Sequence, residues 1–346
     1  MLLPEMPEVN MPDRPLQDLL QPLPLTGGGT VSRIMPGPME GIMHPLFCKA
    51  VSELALFDFW ITPFLRISTD VPRDSRLKHF IRPFAETGLP VIVQLMGNNP
   101  ELIAAAAARF RKLGAAGINL NFACPSKQVL SSGAGGSLLR KPELMRQIIE
   151  QTANACPDFS LSVKLRTGYE APAEMESIFE QAVSGIKLDF IAMHFRTVKE
   201  MYRKTDQGLE RIARAVKLAG NVPLIANGDV FSAEDAITMF RSTGSAGIMV
   251  ARGLLKDPFL SRRIRQACGD TGVSAITGAG RTIFFNKLLE IARRDPVKYW
   301  SRPQFMELAN YMWGSSHPYF DIFKQLSDKD FIAYILCAVE NSTLNE

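Results

Sequence analysis

The sequence predicts an α/β protein: a (β/α)8 TIM barrel followed by a small C-terminal helical domain. Three observations carry that reading. Eight short apolar runs alternate with helical stretches between residues 31 and 260, the period of a parallel barrel. The turn after the first run, Met35–Gly41, lacks the G-x-G-x-x-G spacing of a dinucleotide-binding sheet. Strand-like runs stop after Pro258, and helical periodicity carries the rest of the chain.

Residues 1–30 are expected to be a Pro-rich N-terminal extension. Pro4, Pro7, Pro12, Pro15, Pro22 and Pro24 break any helix and Gly27-Gly28-Gly29 follow, so the segment reads as an extended run over the bottom of the barrel. It has neither a basic start nor a continuous apolar stretch, so no signal peptide is expected. The barrel is expected over residues 31–260, with strands at Ser32–Pro36, Phe59–Pro63, Val91–Met96, Gly117–Phe122, Leu161–Leu165, Phe190–His194, Pro223–Ala226 and Gly247–Val250. Helices fall between them. Glu101–Leu113 is Ala-rich, Pro142–Ala155 opens with Pro at the first helical position, and Ser232 caps a helix with acids in its first turn. Residues 261–346 form the helical domain, with turns at Gly278-Ala279-Gly280 and Gly314-Ser315-Ser316.

Composition narrows the class. Apolar residues at 46% and charged residues at 21% describe a folded globule rather than a disordered chain. Five Cys without regular spacing argue against a disulfide framework and suit a reducing compartment, so a cytoplasmic protein is expected. No run of 18 apolar residues is present, so no membrane-spanning helix is expected. No exposed apolar stripe is evident, and a monomer is expected. The net charge of +4 neither demands nor excludes an anionic partner, but it is uneven. Residues 262–302 hold nine Lys or Arg against three Asp or Glu, and residues 303–346 hold two against six. The basic half, with Arg293 and Arg294, reads either as a solvated helix face or as a surface for a phosphate backbone.

Barrel enzymes gather their chemistry at the C-terminal strand ends. The fourth strand ends in Asn119-Leu120-Asn121-Phe122-Ala123-Cys124-Pro125-Ser126-Lys127, the fifth in Lys164-Leu165-Arg166 and the sixth in His194-Phe195-Arg196-Thr197. The seventh ends in Asn227-Gly228-Asp229 and the eighth in Ala251-Arg252-Gly253. One polar ending is uninformative; five in register are not what a core would choose. The last two suit a phosphate, because Gly lets backbone N–H groups approach it and Arg offers a fork of donors. Lys164 can set positive charge beside a reduced flavin ring. Gln94, at the end of the third strand, can read the ring's polar edge, and Pro38-Met39 can pack on it. Taken alone, Pro38-Met39 would be a simple turn.

Cys124 is the sharpest single candidate. A thiol is mostly protonated at neutral pH and can serve as a general acid. The run Ser131–Ser137 after it, rich in small residues, reads as a mobile loop. Cys48, Cys156, Cys268 and Cys337 are expected to be buried small hydrophobes. His194 has Arg196 and Thr197 beside it and is taken as functional, whereas His44 and His317 are read as structural. His79 lies in a basic stretch with Arg73, Arg76, Lys78 and Arg82 that faces either an anionic partner or solvent. No metal site is expected.

These motifs, together with Pro38-Met39-Glu40-Gly41 and Gly133-Ala134-Gly135-Gly136, occur in the order seen in tRNA-dihydrouridine synthases, and the chain resembles that family strongly over residues 31–260. The resemblance implies an FMN-binding barrel, a helical tRNA-binding domain, and NADPH-dependent reduction of the C5–C6 bond of a uridine in the tRNA D-loop. It implies hydride transfer from FMN N5 to C6 and a proton from Cys124 to C5. By the same resemblance Asn121 orients the uracil, Lys164 and His194 contact the flavin, and Arg166 shapes the base pocket. Asn227, Gly228, Asp229, Ala251, Arg252 and Gly253 match the phosphate and ribityl contacts. Arg196, Arg293 and Arg294 are further candidate substrate contacts.

Some positions depart from the family pattern. Ala123 stands where Gly usually precedes the Cys, Pro63 follows Thr62 where Glu is common, and Leu209 lies near the place of a Trp after Tyr202. Phe195 replaces a small residue and is expected to add bulk at the barrel mouth. Glu40 resembles the bacterial subgroup acting on position 16. The rival readings are a small-molecule flavin barrel such as a dihydroorotate dehydrogenase or ene-reductase, and a tRNA-binding protein without catalysis. The basic helical segment and the Cys-Pro-Ser-Lys loop count against the first. Cys124, Lys164 and His194 count against the second.

Overall fold

The computed structural model describes residues 14–274, 280–299 and 301–313, with positions 324, 325, 327 and 330 beyond them. His317, Cys337, the turn at Gly314-Ser315-Ser316 and most of the acidic half lie outside the described residues.

A 3-10 turn at Leu16–Leu20 leads into an antiparallel hairpin of β1 (Leu23–Pro24) and β2 (Thr30–Val31). This part of the Pro-rich segment is therefore folded rather than extended. Three glycines in the left-handed region make the turn, at Gly27, Gly28 and Gly29. Leu23, Leu25 and Val31 are buried with Met35, Ile92, Phe190 and Ile225 of the barrel interior, so the hairpin plugs the N-terminal end. Thr26 fastens it by donating to Asp189 from both its backbone N–H (3.0 Å) and its Oγ1 (2.6 Å).

The barrel follows, its strands separated by helices except where the second strand is split into two. Its elements are β3 (Ile34–Pro36), α1 (Pro45–Glu53), β4 (Trp60–Ile61), β5 (Leu65–Arg66), α2 (Asp74–Ala85), β6 (Val91–Met96), α3 (Pro100–Lys112), β7 (Gly117–Asn121), α4 (Lys127–Ser131) and α5 (Pro142–Ala155). Then come β8 (Ser160–Arg166), α6 (Met175–Ile178), β9 (Phe190–His194), α7 (Gly208–Ala219), β10 (Leu224–Asn227), α8 (Ala233–Thr243) and β11 (Gly247–Val250). Parallel ladders join β4, β6, β7, β8, β9, β10 and β11 in order and then β11 to β3, the ring of a (β/α)8 barrel. All eight expected strands are present. The second is broken: the Thr62 N–H still bonds Ile92, but Pro63 has no N–H, and pairing with β6 resumes at Leu65. The helix starts obey local chemistry, as at Ser232, whose hydroxyl accepts from Asp235 N–H at 3.0 Å while Asp235 returns the bond.

Five further helices follow among the described residues: α9 (Arg252–Lys256), α10 (Leu260–Ala267), α11 (Gly280–Arg294), α12 (Pro296–Tyr299) and α13 (Arg302–Trp313). Phe284 of α11 stacks edge-on to Phe47 of α1 at 5.6 Å, and Phe285 meets Phe305 of α13 at 5.9 Å. One apolar core runs from the barrel's outer layer into these helices, so their placement on the barrel is held by burial.

Candidate active site

Strand alternation turns every second residue into the barrel, and the inward rows change from small or apolar residues to larger polar and charged ones on rising to the C-terminal end. Ile92 gives way to Gln94, Ser162 to Lys164, Ala192 to His194, and Ile225 to Asn227. The ladders set these in layers: Gln94 lies opposite Asn119, Asn121 opposite Lys164, Arg166 opposite His194, and His194 opposite Asn227. They meet in a cavity of about 400 Å³ at the barrel mouth, within the usual range for a cofactor or ligand site.

A relay of amides forms its wall. Asn121 Nδ2 donates to Gln94 Oε1 at 2.7 Å, Gln94 Nε2 to Asn119 Oδ1 at 2.7 Å, and Asn119 Nδ2 to Ser162 Oγ at 2.9 Å. Asn121 Oδ1 accepts the backbone N–H groups of Ala123 (2.9 Å) and Cys124 (3.1 Å), which fixes the turn that presents the thiol. Arg166 holds the same turn by donating from Nε to the Ala123 carbonyl at 2.7 Å, and from Nη1 to Thr197 and Met201. Gly136 N–H donates to the Cys124 carbonyl. A Cβ on Gly136 would stand 2.9 Å from that carbonyl, and one on Gly135 would stand 2.7 Å from Val129. The small residues after Cys124 are thus required by close packing beneath it; they do not form the loose loop their composition suggests.

The electrostatics are cationic. Burial lowers the Lys164 ammonium to about 7, aided by repulsion from Arg166. Lys164 has no ion pair among the described residues. Burial also lowers Arg166 to about 10 and pushes His194 well below the usual imidazole range, with Arg166 and Lys164 adding to the shift. His194 is therefore neutral, and Nδ1 accepts the Arg196 N–H at 3.3 Å, which assigns the ring proton to Nε2.

Pro38, Met39, Gln94, Asn121, Cys124, Lys164, Arg166, His194, Asn227, Gly228, Ala251 and Arg252 all line the cavity. Asp229 does not. Its carboxylate is occupied by Arg196, bidentately at 2.9 and 2.5 Å, and by Arg252 at 2.6 Å. Arg196 is itself 1% exposed and stands behind the wall, so it positions Asp229 and through it Arg252. Gly253 also lies behind the wall, where a Cβ would meet the Val230 carbonyl at 2.1 Å. Phe195 turns away from the mouth and sits between Gly208 and Gly228, so its bulk does not narrow the cavity.

Arg293 and Arg294 do not line the cavity. Arg294 pairs with Glu53 of α1 at 2.6 Å, Lys287 reaches the same carboxylate at 3.8 Å, and Lys298 pairs with Glu86 at 2.7 Å. Arg262 donates to the Leu54 carbonyl, Arg263 pairs with Asp257, Arg265 with Asp270, and Arg281 donates to the Met312 carbonyl. These cations dock helices onto the barrel or brace them. His44 is structural as expected: it caps α1 through Nδ1, and burial lowers it to about 4. Cys48, Cys156 and Cys268 are buried thiols.

Sequence reasoning missed Phe64 and Tyr311, which also line the cavity. Tyr311 comes from α13, whose buried face is Phe305, Leu308, Ala309 and Met312, and is 46% exposed. An aromatic off the apolar stripe of its helix was the available signal.

A flavin fits this cavity. The lone Lys164 ammonium calls for an electron-rich or anionic partner. Gly228 and Arg252 at the ends of the seventh and eighth strands lie where barrels take phosphate. The fold and site thus define a flavin-type barrel oxidoreductase. The dihydrouridine synthase family profile matches residues 35–292, and the chain belongs to that family of flavin-dependent enzymes. A tRNA-dihydrouridine(16) synthase of Vibrio vulnificus is 34% identical over 239 residues, covering 67% of this chain and 74% of that one. Two solved structures share the barrel. A histamine dehydrogenase from Rhizobium has TM-score 0.56 at 14% identity, over 80% of this chain and 51% of that longer one. A variant of NCR from Zymomonas mobilis has TM-score 0.53 at 18% identity, over 72% of this chain and 91% of that one. Among the described residues, no helix is long and apolar enough to cross a membrane.

Proposed function

We propose that this chain reduces the C5–C6 bond of the uridine at position 16 of the tRNA D-loop, with FMN as cofactor and NADPH as reductant. The observation that carries the reading is the convergence of Asn121, Cys124, Lys164, Arg166 and His194 on one cavity. The position is supported by the name of the Vibrio relative and by Glu40 at the cavity rim. When bound, FMN supplies the hydride from its N5 to C6 of the uracil.

The chain's own groups do the rest. The uridine leaves the tRNA stack to enter the cavity. Cys124 donates its thiol proton to C5. Asn121 has one amide N–H left after binding Gln94, which suits a uracil carbonyl, and Arg166 has Nη2 left for the other. Lys164, cationic below about pH 7 before any anion binds, stabilises negative charge on the ring, and the His194 Nε2–H donates to the ring's polar edge. Asn227, Gly228, Ala251 and Arg252 hold the phosphate and ribityl chain, with Asp229 and Arg196 bracing Arg252. Residues 31–260 form the flavin barrel, and residues 261–346 form a tRNA-binding domain. The protein works as a cytoplasmic monomer.

The test is mass-spectrometric mapping of dihydrouridine in tRNA from cells with and without the gene. Loss at position 16 supports the reading. Purified protein that carries FMN yet leaves an unmodified tRNA transcript unreduced refutes it.

A further inference from the structure

The basic segment singled out in the sequence, residues 262–302, has its cations engaged inside the protein. Helix α2 is the opposite case. Leu77, Ile81 and Phe84 bury one face, while Arg76, Lys78, His79 and Arg82 stand exposed on the other. Arg73 precedes the helix, also exposed. None of these side chains has a hydrogen bond or ion pair among the described residues. Of the acids near the helix, Asp74 faces Arg109 at 3.8 Å and Glu86 is held by Lys298, and Asp70, before the helix, accepts from the Thr69 hydroxyl. Four exposed cationic or titratable side chains within seven residues occupy about 9 Å of helix axis.

The placement of α2 gives that charge a use. Phe64 lines the cavity, and the chain then passes through exposed Arg66, paired in register with Met96 at the top of β6, before entering α2. At its other end, Glu86 meets Lys298 of α12. The basic face therefore runs from the cavity rim to the seam with the helical domain.

We propose that the outer face of α2, from Arg66 and Arg73 to Arg82, is a phosphate-backbone track for tRNA that holds the molecule while a uridine occupies the cavity. This rests on the function proposed above. The chemistry favours a polyanionic backbone over other anionic partners. The cations stand on a convex helix face and do not converge on a pocket for one phosphate. That face also lacks the large apolar residues that a membrane-surface helix inserts. Contacts of this kind set position and affinity without reading bases.

The test uses the full-length, FMN-loaded protein and an unmodified tRNA transcript, with affinity measured across a salt series. The triple variant Arg76→Gln, Lys78→Gln, Arg82→Gln leaves the buried face of α2 untouched, and flavin absorbance checks its fold. Its Kd is expected to rise at least about tenfold near 0.1 M salt, and the slope of log Kd against log salt to fall by about two to three. A control removes the same charge at the far end of the barrel, through Lys112→Gln, Lys187→Gln and Lys217→Gln, and should bind like wild type. Unchanged binding by the α2 variant, or equal weakening in both triples, overturns the track. Product formation by wild type is scored separately. Salt-dependent binding lost in the α2 variant, with no dihydrouridine made by wild type, sinks the function and keeps the surface. Dihydrouridine made by wild type, with the α2 variant binding normally, does the reverse.

Discussion

Gly228→Ala offers a sharp test of how the cavity wall is built. A Cβ at Gly228 would stand 1.9 Å from Phe195 Cε1 and 2.2 Å from Cδ1, where carbon atoms pack at about 3.5–4.0 Å. Something must move by about 1.5 Å. The ring cannot give way easily. It is 6% exposed, and its far side already lies against Gly208, where a Cβ would meet it at 3.0 Å. The strand end is the alternative, and that carries Asn227 and Asp229 out of place. Overpacking of this kind costs about 1–3 kcal/mol. Phe195→Ala should cost about 3–5 kcal/mol through the void it leaves. Once the ring is gone, the added methyl has room, so the double variant should be no less stable than Phe195→Ala alone. The expected coupling is about 2 kcal/mol in a double-mutant cycle. The assay is urea unfolding of the four proteins, with retained FMN as a second readout, since Gly228→Ala should also shed flavin and the double variant should regain it. Strict additivity would refute the account of Phe195 as the occupant of the space beside Gly228.

Cys124→Ala is expected to lower turnover about 10²- to 10⁴-fold while FMN stays bound, read by single-turnover formation of dihydrouridine; near-wild-type rates would remove Cys124 as proton donor. Lys164 should mark the pH profile of the flavin-free protein. Its folded pKa is lowered from 10.5 to about 7, so between those values the unfolded chain binds more protons and stability rises with pH. The penalty is fully present below about pH 7. Lys164→Met should flatten that rise in thermal unfolding; an unchanged slope would place the effect elsewhere. Tyr311, a half-exposed aromatic at the cavity, is placed to stack on a base entering it, and Tyr311→Ala should raise KM for tRNA about 5- to 100-fold by loss of that stacking. Tyr311→Phe should retain the wild-type value, and equal loss in both variants would assign the role to the hydroxyl instead.

How far the sequence reaches differs by element. The short apolar runs located all eight strands, because a parallel strand covered on both faces must be apolar along its length and each run had to bury itself. Pro142 and Ser232 marked their helix starts for equally local reasons. The second strand was read as ending at Pro63, whose missing N–H does interrupt the ladder, and the resumption of pairing at Leu65–Arg66 beyond it carried no apolar run to announce it.

What the linear chain determined was therefore the barrel, its order, and which polar residues cap each strand, since these follow from local pattern and the direction of a parallel strand. The tertiary structure decided the division of labour among those caps. Asn121 shares a layer with Lys164, and Arg166, His194 and Asn227 share the next one up, through the ladder register, whereas Asp229 and Arg196 carry polar atoms into an ion pair behind the wall. The same holds for charge. The cations of residues 262–302 and those of α2 look alike in sequence, but Arg262, Arg294 and Lys298 meet a carbonyl and carboxylates brought from distant segments, Arg263 and Arg265 meet acids near them in the chain, and the cations of α2 meet solvent. Whether a cation is paired depends on partners up to 241 residues away in the chain, and no local pattern encodes that distance.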